Sequence, residues 1–111
     1  MRVFDCVLLF YHAKTHIIEH MKLSTALREL KTNKEIDNFL KDILTAGEIK
    51  SINERWSIAK LLYKKELTYR EIAAELGTST ATVTRVGRFL MAESNNGYLT
   101  ALKKIKGPQY Y

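Results

Sequence analysis

Between Glu75 and Glu93 the chain carries no acidic residue, and within that gap stand Thr80, Ala81, Thr84, Arg85 and Arg88. At helical spacing these five share one outward side, opposite Val83 and Val86. The set suits the chemistry of base edges. Threonine and alanine methyl groups can touch a thymine methyl, threonine hydroxyls can bond base edges, and arginine can bind a base or a phosphate. Arg70 lies one element earlier, and Ser79 with the first amides of the following helix lies at its start; all can meet phosphate oxygens. Lys64 and Lys65 precede them and extend the positive surface. The same residues are also compatible with a helical corner used only for packing, or with a non-catalytic module that docks another protein.

Other reactive residues form weaker constellations. His12, His16 and His20 recur every fourth residue, beside Glu19. On a helix they would share a face, and imidazoles so placed could hold zinc, nickel or copper. A half-buried stripe has the same spacing, so no metal is assigned and a metal-responsive regulator stays an alternative. Cys6 sits in the apolar run Cys6-Val7-Leu8-Leu9-Phe10 without a basic neighbour that would activate it. There is no Gly-rich phosphate loop, no CxxC and no paired carboxylates, so nothing points to an enzyme.

The elements that must position the outward set read as helices throughout. Leu23, Ala26, Leu27 and Leu30 recur at helical spacing, with Ser24 or Thr25 near the start. Asn33 can cap the next helix, whose apolar face is Ile36, Phe39, Leu40, Ile43 and Leu44. Thr45-Ala46-Gly47-Glu48 and Thr68-Tyr69-Arg70-Glu71 are two capping boxes. The first opens a central helix of about 19 residues, marked by Ile49, Ile52, Trp56, Ala59 and Leu62 or Tyr63. The second opens a helix over 69–76 that Gly77 ends, since glycine tolerates the left-handed backbone there. Ser79 caps a helix over 80–91, and Asn95-Asn96-Gly97 turns the chain into a last helix with Tyr98, Leu99, Leu102 and Ile105 before Gly107-Pro108. Ala73, Gly77 and Val83 have helix-turn-helix spacing: the small residue permits a close crossing, the glycine makes the turn, and Ile72, Leu76, Val83 and Val86 fill the angle. A second helix so held enters a major groove while the first crosses the backbone.

Composition bounds the rest. The 111 residues fit one helical domain, with 1–22 an N-terminal extension, 45–67 the central helix and connector, 68–91 the helix-turn-helix and 98–111 the last helix and tail. Eighteen basic and 12 acidic residues make a net charge of +6. Residues 1–44 hold seven basic and six acidic residues, so most of the excess lies beyond them. The single cysteine suits a reducing, cytoplasmic setting. The apolar run near the N-terminus is far shorter than the ~20 residues that span a bilayer, so no membrane is implied.

The run Leu44-Thr45-Ala46-Gly47-Glu48, then Arg55-Trp56, Leu61-Leu62, Tyr69-Arg70-Glu71-Ile72-Ala73 and Gly77-Thr78-Ser79-Thr80-Ala81-Thr82-Val83-Thr84-Arg85 resembles the tryptophan repressor superfamily, and in it the YerC/YecD type of repressor-like proteins. The likeness covers about 23–98 and is dense over 45–90. It implies an all-α fold, an intertwined homodimer with one helix-turn-helix per chain, and double-stranded DNA as partner. Matching family positions give Arg70, Thr80, Ala81 and Thr84 as DNA contacts, and Thr45, Arg55, Thr82 and Arg85 as lining an effector pocket for L-tryptophan. The chain departs from the family at Val86, where the pocket has glycine, and at Phe89, where it has a small serine. Both add bulk and remove polarity, which favours a reading head that needs no tryptophan, although another corepressor stays open.

Overall fold

A computed structural model describes residues 21–105. The described residues fall into two compact units that divide between Ile43 and Leu44. The histidine stripe, Cys6, the Gly107-Pro108 stop and the chain's end lie outside the described residues. The fold is all-α, with six helices and no strand among the described residues. None of these helices is long and apolar enough to cross a membrane.

The first unit contains α1 (Leu23–Glu29) and α2 (Asn33–Ile43), and neither buries a residue. α1 starts at Leu23 with Lys22 at its N-cap and no side-chain cap, and Ser24 and Thr25 fall in its first turn, near the start as expected. One cap differs from expectation. Asn33 is the first residue of α2 rather than its cap. Thr32 does the capping: its Oγ1 accepts from the Glu35 amide at 3.1 Å, and Glu35 Oε2 accepts from the Lys31 amide at 2.8 Å. Thr32 stands three residues before the Glu35 amide it accepts from, the N-cap to N3 relation, while the carboxylate reaches one residue further back to Lys31. α2 shows Ile36, Phe39 and Leu40 half-buried and Ile43 50% exposed along one side.

The second unit contains α3 (Ala46–Lys64), α4 (Tyr69–Leu76), α5 (Thr80–Met91) and α6 (Gly97–Lys104). Both expected capping boxes form. Thr45 Oγ1 accepts from the Glu48 amide and Glu48 Oε2 from the Thr45 amide. Thr68 and Glu71 repeat the exchange at 3.2 Å in both directions. Thr68→Ala should therefore lower the unfolding free energy by about 1 kcal/mol, the usual worth of an N-cap hydroxyl. A urea titration with unchanged slope would read this, and an unmoved midpoint would refute it.

The core of this unit lies where α3 meets α4, α5 and α6. α3 buries Ile58, Ala59 and Leu62, a stripe confined to its C-terminal half; Ile52 on the N-terminal half stays 37% exposed. α4 buries Ile72 and Ala73, α5 buries Val83, Val86, Gly87 and Leu90, and α6 adds Leu102. Trp56, Tyr63 and Leu76 pack at the margin of this cluster. Gly87 allows one close approach: a Cβ there would lie 2.5 Å from the Tyr69 hydroxyl, so the tyrosine at the start of α4 lies directly against α5.

Candidate nucleic-acid interface

α4 and α5 are joined by the three residues Gly77, Thr78 and Ser79. Gly77 has a φ of 66°, the left-handed conformation that closes the end of α4. Its amide donates to Ala73 and Ala74 carbonyls, and the Thr78 amide donates to Ala73 O at 2.9 Å. These bonds satisfy carbonyls that α4 would otherwise leave open and fix the turn. Ser79 then begins α5: its Oγ accepts from the Thr82 amide at 3.1 Å and shares a 2.8 Å bond with Thr82 Oγ1. Buried Ile72 and Ala73 on α4 and Val83 and Val86 on α5 join one core, so the angle between the helices is set by packing.

The opposite side of α5 is open. Thr80, Ala81, Thr84, Arg85 and Arg88 are all exposed, and so is Arg70 in the first turn of α4. The structure thus brings the outward set onto one face. It also assigns some of its polar groups to internal work. Ser79 and Thr82 bond each other. Thr84 Oγ1 donates to the Thr80 carbonyl at 2.8 Å, which leaves the oxygen only as an acceptor. The guanidinium carbons of Arg85 and Arg88 lie 5.8 and 5.2 Å from the Phe89 ring centroid, and Arg88 Nε stands 3.6 Å from Glu93 Oε1. Spacing on α5 did not disclose these partners. Arg85 and Arg88 meet Phe89 through their own helix, but Glu93 lies beyond its end.

A cavity of about 510 Å³ opens between α3, α5 and α6. Arg55, Trp56, Arg85, Val86, Phe89 and Tyr98 line it, and no carboxylate does. Of the four residues expected at an effector pocket, Arg55 and Arg85 meet here. Thr45 lines a separate open groove of about 640 Å³ along α3 that shares only Arg55 with the cavity. Thr82 lines neither and is occupied by Ser79. Val86 is only 2% exposed, so its side chain serves the core as well as one wall of the cavity. Tyr98 was legible only as an apolar position of the last helix; its place in the cavity depends on how α6 returns to α3 and α5.

Comparison with known proteins agrees with this architecture. The family described as Trp repressor protein matches residues 19–106. The chain is 36% identical over 85 residues to the YerC protein of Bacillus subtilis, itself uncharacterised, covering 77% of this chain and 80% of that one. It is 38% identical over 64 residues to a Trp operon repressor homologue of Chlamydia caviae, covering 58% of this chain and 63% of the other. Among solved structures, a TrpR-like protein from Eubacterium eligens superposes with a TM-score of 0.64 at 36% identity, covering 77% of this chain and 89% of the other. A match over most of the length, joined to the helix-turn-helix and the all-α core just described, places the chain in the Trp repressor family, a family of transcriptional repressors rather than enzymes.

Proposed function

We propose that this protein is a cytoplasmic, sequence-specific regulator of transcription that binds double-stranded DNA as a homodimer through α4 and α5. One observation carries the reading: α5 is held from behind by buried Val83, Val86 and Leu90, while its outward side is exposed and free of acids. Phosphates approaching that side would meet Arg70 and the Thr80 and Ala81 amides, which lie outside the helix ladder. Two copies would present two such faces to half-sites one helical turn apart, about 34 Å. Selection of bound sequences from random duplex DNA tests the reading. It should return a two-fold symmetric site, and failure to enrich any duplex at low salt would overturn the function.

Arg70→Ala should weaken binding to all duplexes alike and reduce the salt dependence. Each protomer then neutralises one phosphate fewer, so the slope of log K against log salt should become shallower by about 2 for the dimer. A change in sequence preference with an unaltered slope would place Arg70 at a base instead.

We further propose that the reading head engages DNA without tryptophan. The support is the cavity: Val86 and Phe89 line it and no carboxylate stands ready for an ammonium group. Repeating the selection with tryptophan should leave affinity and site unchanged, and dependence on the amino acid would refute this part alone.

A further inference from the structure

The first half of α5 is poor in hydrogen-bond donors where a groove-reading helix normally offers them. That half meets the base edges in a helix-turn-helix, because the N-terminal residues of the second helix go deepest. α5 reads Thr80-Ala81-Thr82-Val83-Thr84-Arg85-Val86-Gly87-Arg88-Phe89-Leu90-Met91 and contains no Asn, Gln, Lys, Asp or Glu. The usual bidentate readers of adenine and the acidic readers of cytosine are therefore missing. Arg85 and Arg88 are the residues of α5 able to fork onto guanine. Both lean over Phe89; Arg85 ends the first half, where it also lines the cavity, and Arg88 meets Glu93 in the half that leaves the groove. The hydroxyls of Ser79 and Thr82 bond each other, and Thr84 gives its proton to the Thr80 carbonyl. Thr84 is exposed, and with its hydroxyl proton given to its own helix the side chain offers a partner an acceptor oxygen and a methyl group.

Resting on the duplex-binding function above, we propose that Thr80, Ala81 and Thr84 recognise thymine by its 5-methyl group, so that A·T pairs lie beneath the first turn and a half of α5. Thymine alone among the four bases carries a methyl group in the major groove. Its partner adenine offers an amino donor on the same edge, and the Thr84 oxygen, reduced to an acceptor, complements that donor. A G·C pair offers no methyl group to the three methyl-bearing side chains.

The test uses the full chain and a duplex obtained by selection. Each thymine is replaced in turn by deoxyuridine, which removes only the methyl group. Binding should weaken about fourfold at each thymine read, the ~0.8 kcal/mol of one buried methyl group. Substituting both half-sites together should cost about sixteenfold, since the two effects multiply. Thr84→Ser keeps the hydroxyl oxygen and removes the methyl group. Both protomers carry the change, so it should bind the thymine duplex about sixteenfold less well, one methyl group per half-site, and become indifferent to deoxyuridine at one step of each half-site. Deoxyuridine without effect at every position would overturn the inference while leaving duplex binding intact. Full discrimination retained by both Thr80→Ser and Thr84→Ser would also overturn it. Absence of any duplex binding by the unaltered protein would instead defeat the underlying function, a separate and recognisable result.

Discussion

Ile72→Ala should cost about 2–5 kcal/mol of unfolding free energy, the largest stability loss expected from a single side chain in the reading head. Ile72 is 0% exposed and belongs to the cluster that includes Val83 and Val86 of α5 and Ile58 of α3. The substitution removes three carbons from a site whose neighbours are themselves fully packed, so the surroundings can only partly collapse into the gap. A domain of this size is worth about 5–15 kcal/mol in total, so the loss is a large fraction of it. DNA binding should fall with it, because that cluster holds the exposed face of α5 at a fixed angle to Arg70 on α4. Urea unfolding followed by circular dichroism gives the energy, and a loss below about 0.5 kcal/mol, within surface-substitution scatter, would show that the site relaxes freely.

The reasons one part of this fold was legible from sequence and another was not lie in the range of the interactions. Both capping boxes and the Gly77 turn involve residues three to five apart, and the side chains that make them identify themselves by type. The bounds of α3, α4 and α5 follow directly. The cap of α2 shows the limit of the same logic. Asn33 and Thr32 are both good caps by type, and only the structure shows that Thr32 takes the Glu35 amide. Packing across the helices had no such signature. Nothing in the spacing of Tyr69 and Gly87 reveals that the tyrosine ring lies against the glycine. The cavity likewise needed the return of α6, which sets Tyr98 opposite Arg55 and Arg85.

The candidate site divides in the same way. Which residues of α5 face outward was legible, since helical geometry alone separates Thr80, Ala81, Thr84, Arg85 and Arg88 from Val83 and Val86. What those side chains still have to offer a partner was not. A threonine hydroxyl within reach of the carbonyl four residues back can either bond it or face solvent, and the sequence is the same in both cases. The structure puts Thr84 in the first state, so a hydroxyl expected to bond base edges keeps only its acceptor capacity beside the methyl group.

Phe39→Glu should convert the protein to a monomer and reduce its affinity for a two-half-site duplex by about 10²–10⁴-fold, the avidity gained when a second contact becomes intramolecular. α2 carries Ile36, Phe39, Leu40 and Ile43 along one side, yet buries none of them within the chain. In the same unit, Leu23 on α1 is 54% exposed. A helix with one apolar stripe and a charged other side is most stable when that stripe is covered. The proposed second copy covers it. A carboxylate at position 39 would then be buried without a partner in the dimer but remain solvated in the monomer, so the equilibrium shifts by several kcal/mol against association. Phe39→Leu, which keeps the apolar face, should remain dimeric and separates this effect from general damage to α2. Sedimentation equilibrium gives the mass, and binding to whole and half operators gives the affinities. A Phe39→Glu protein that sediments as a dimer and binds the full duplex normally would show that α2 is not the dimer face. A loss confined to the full duplex, with the half-site affinity preserved, is the pattern that pairing of two reading heads requires.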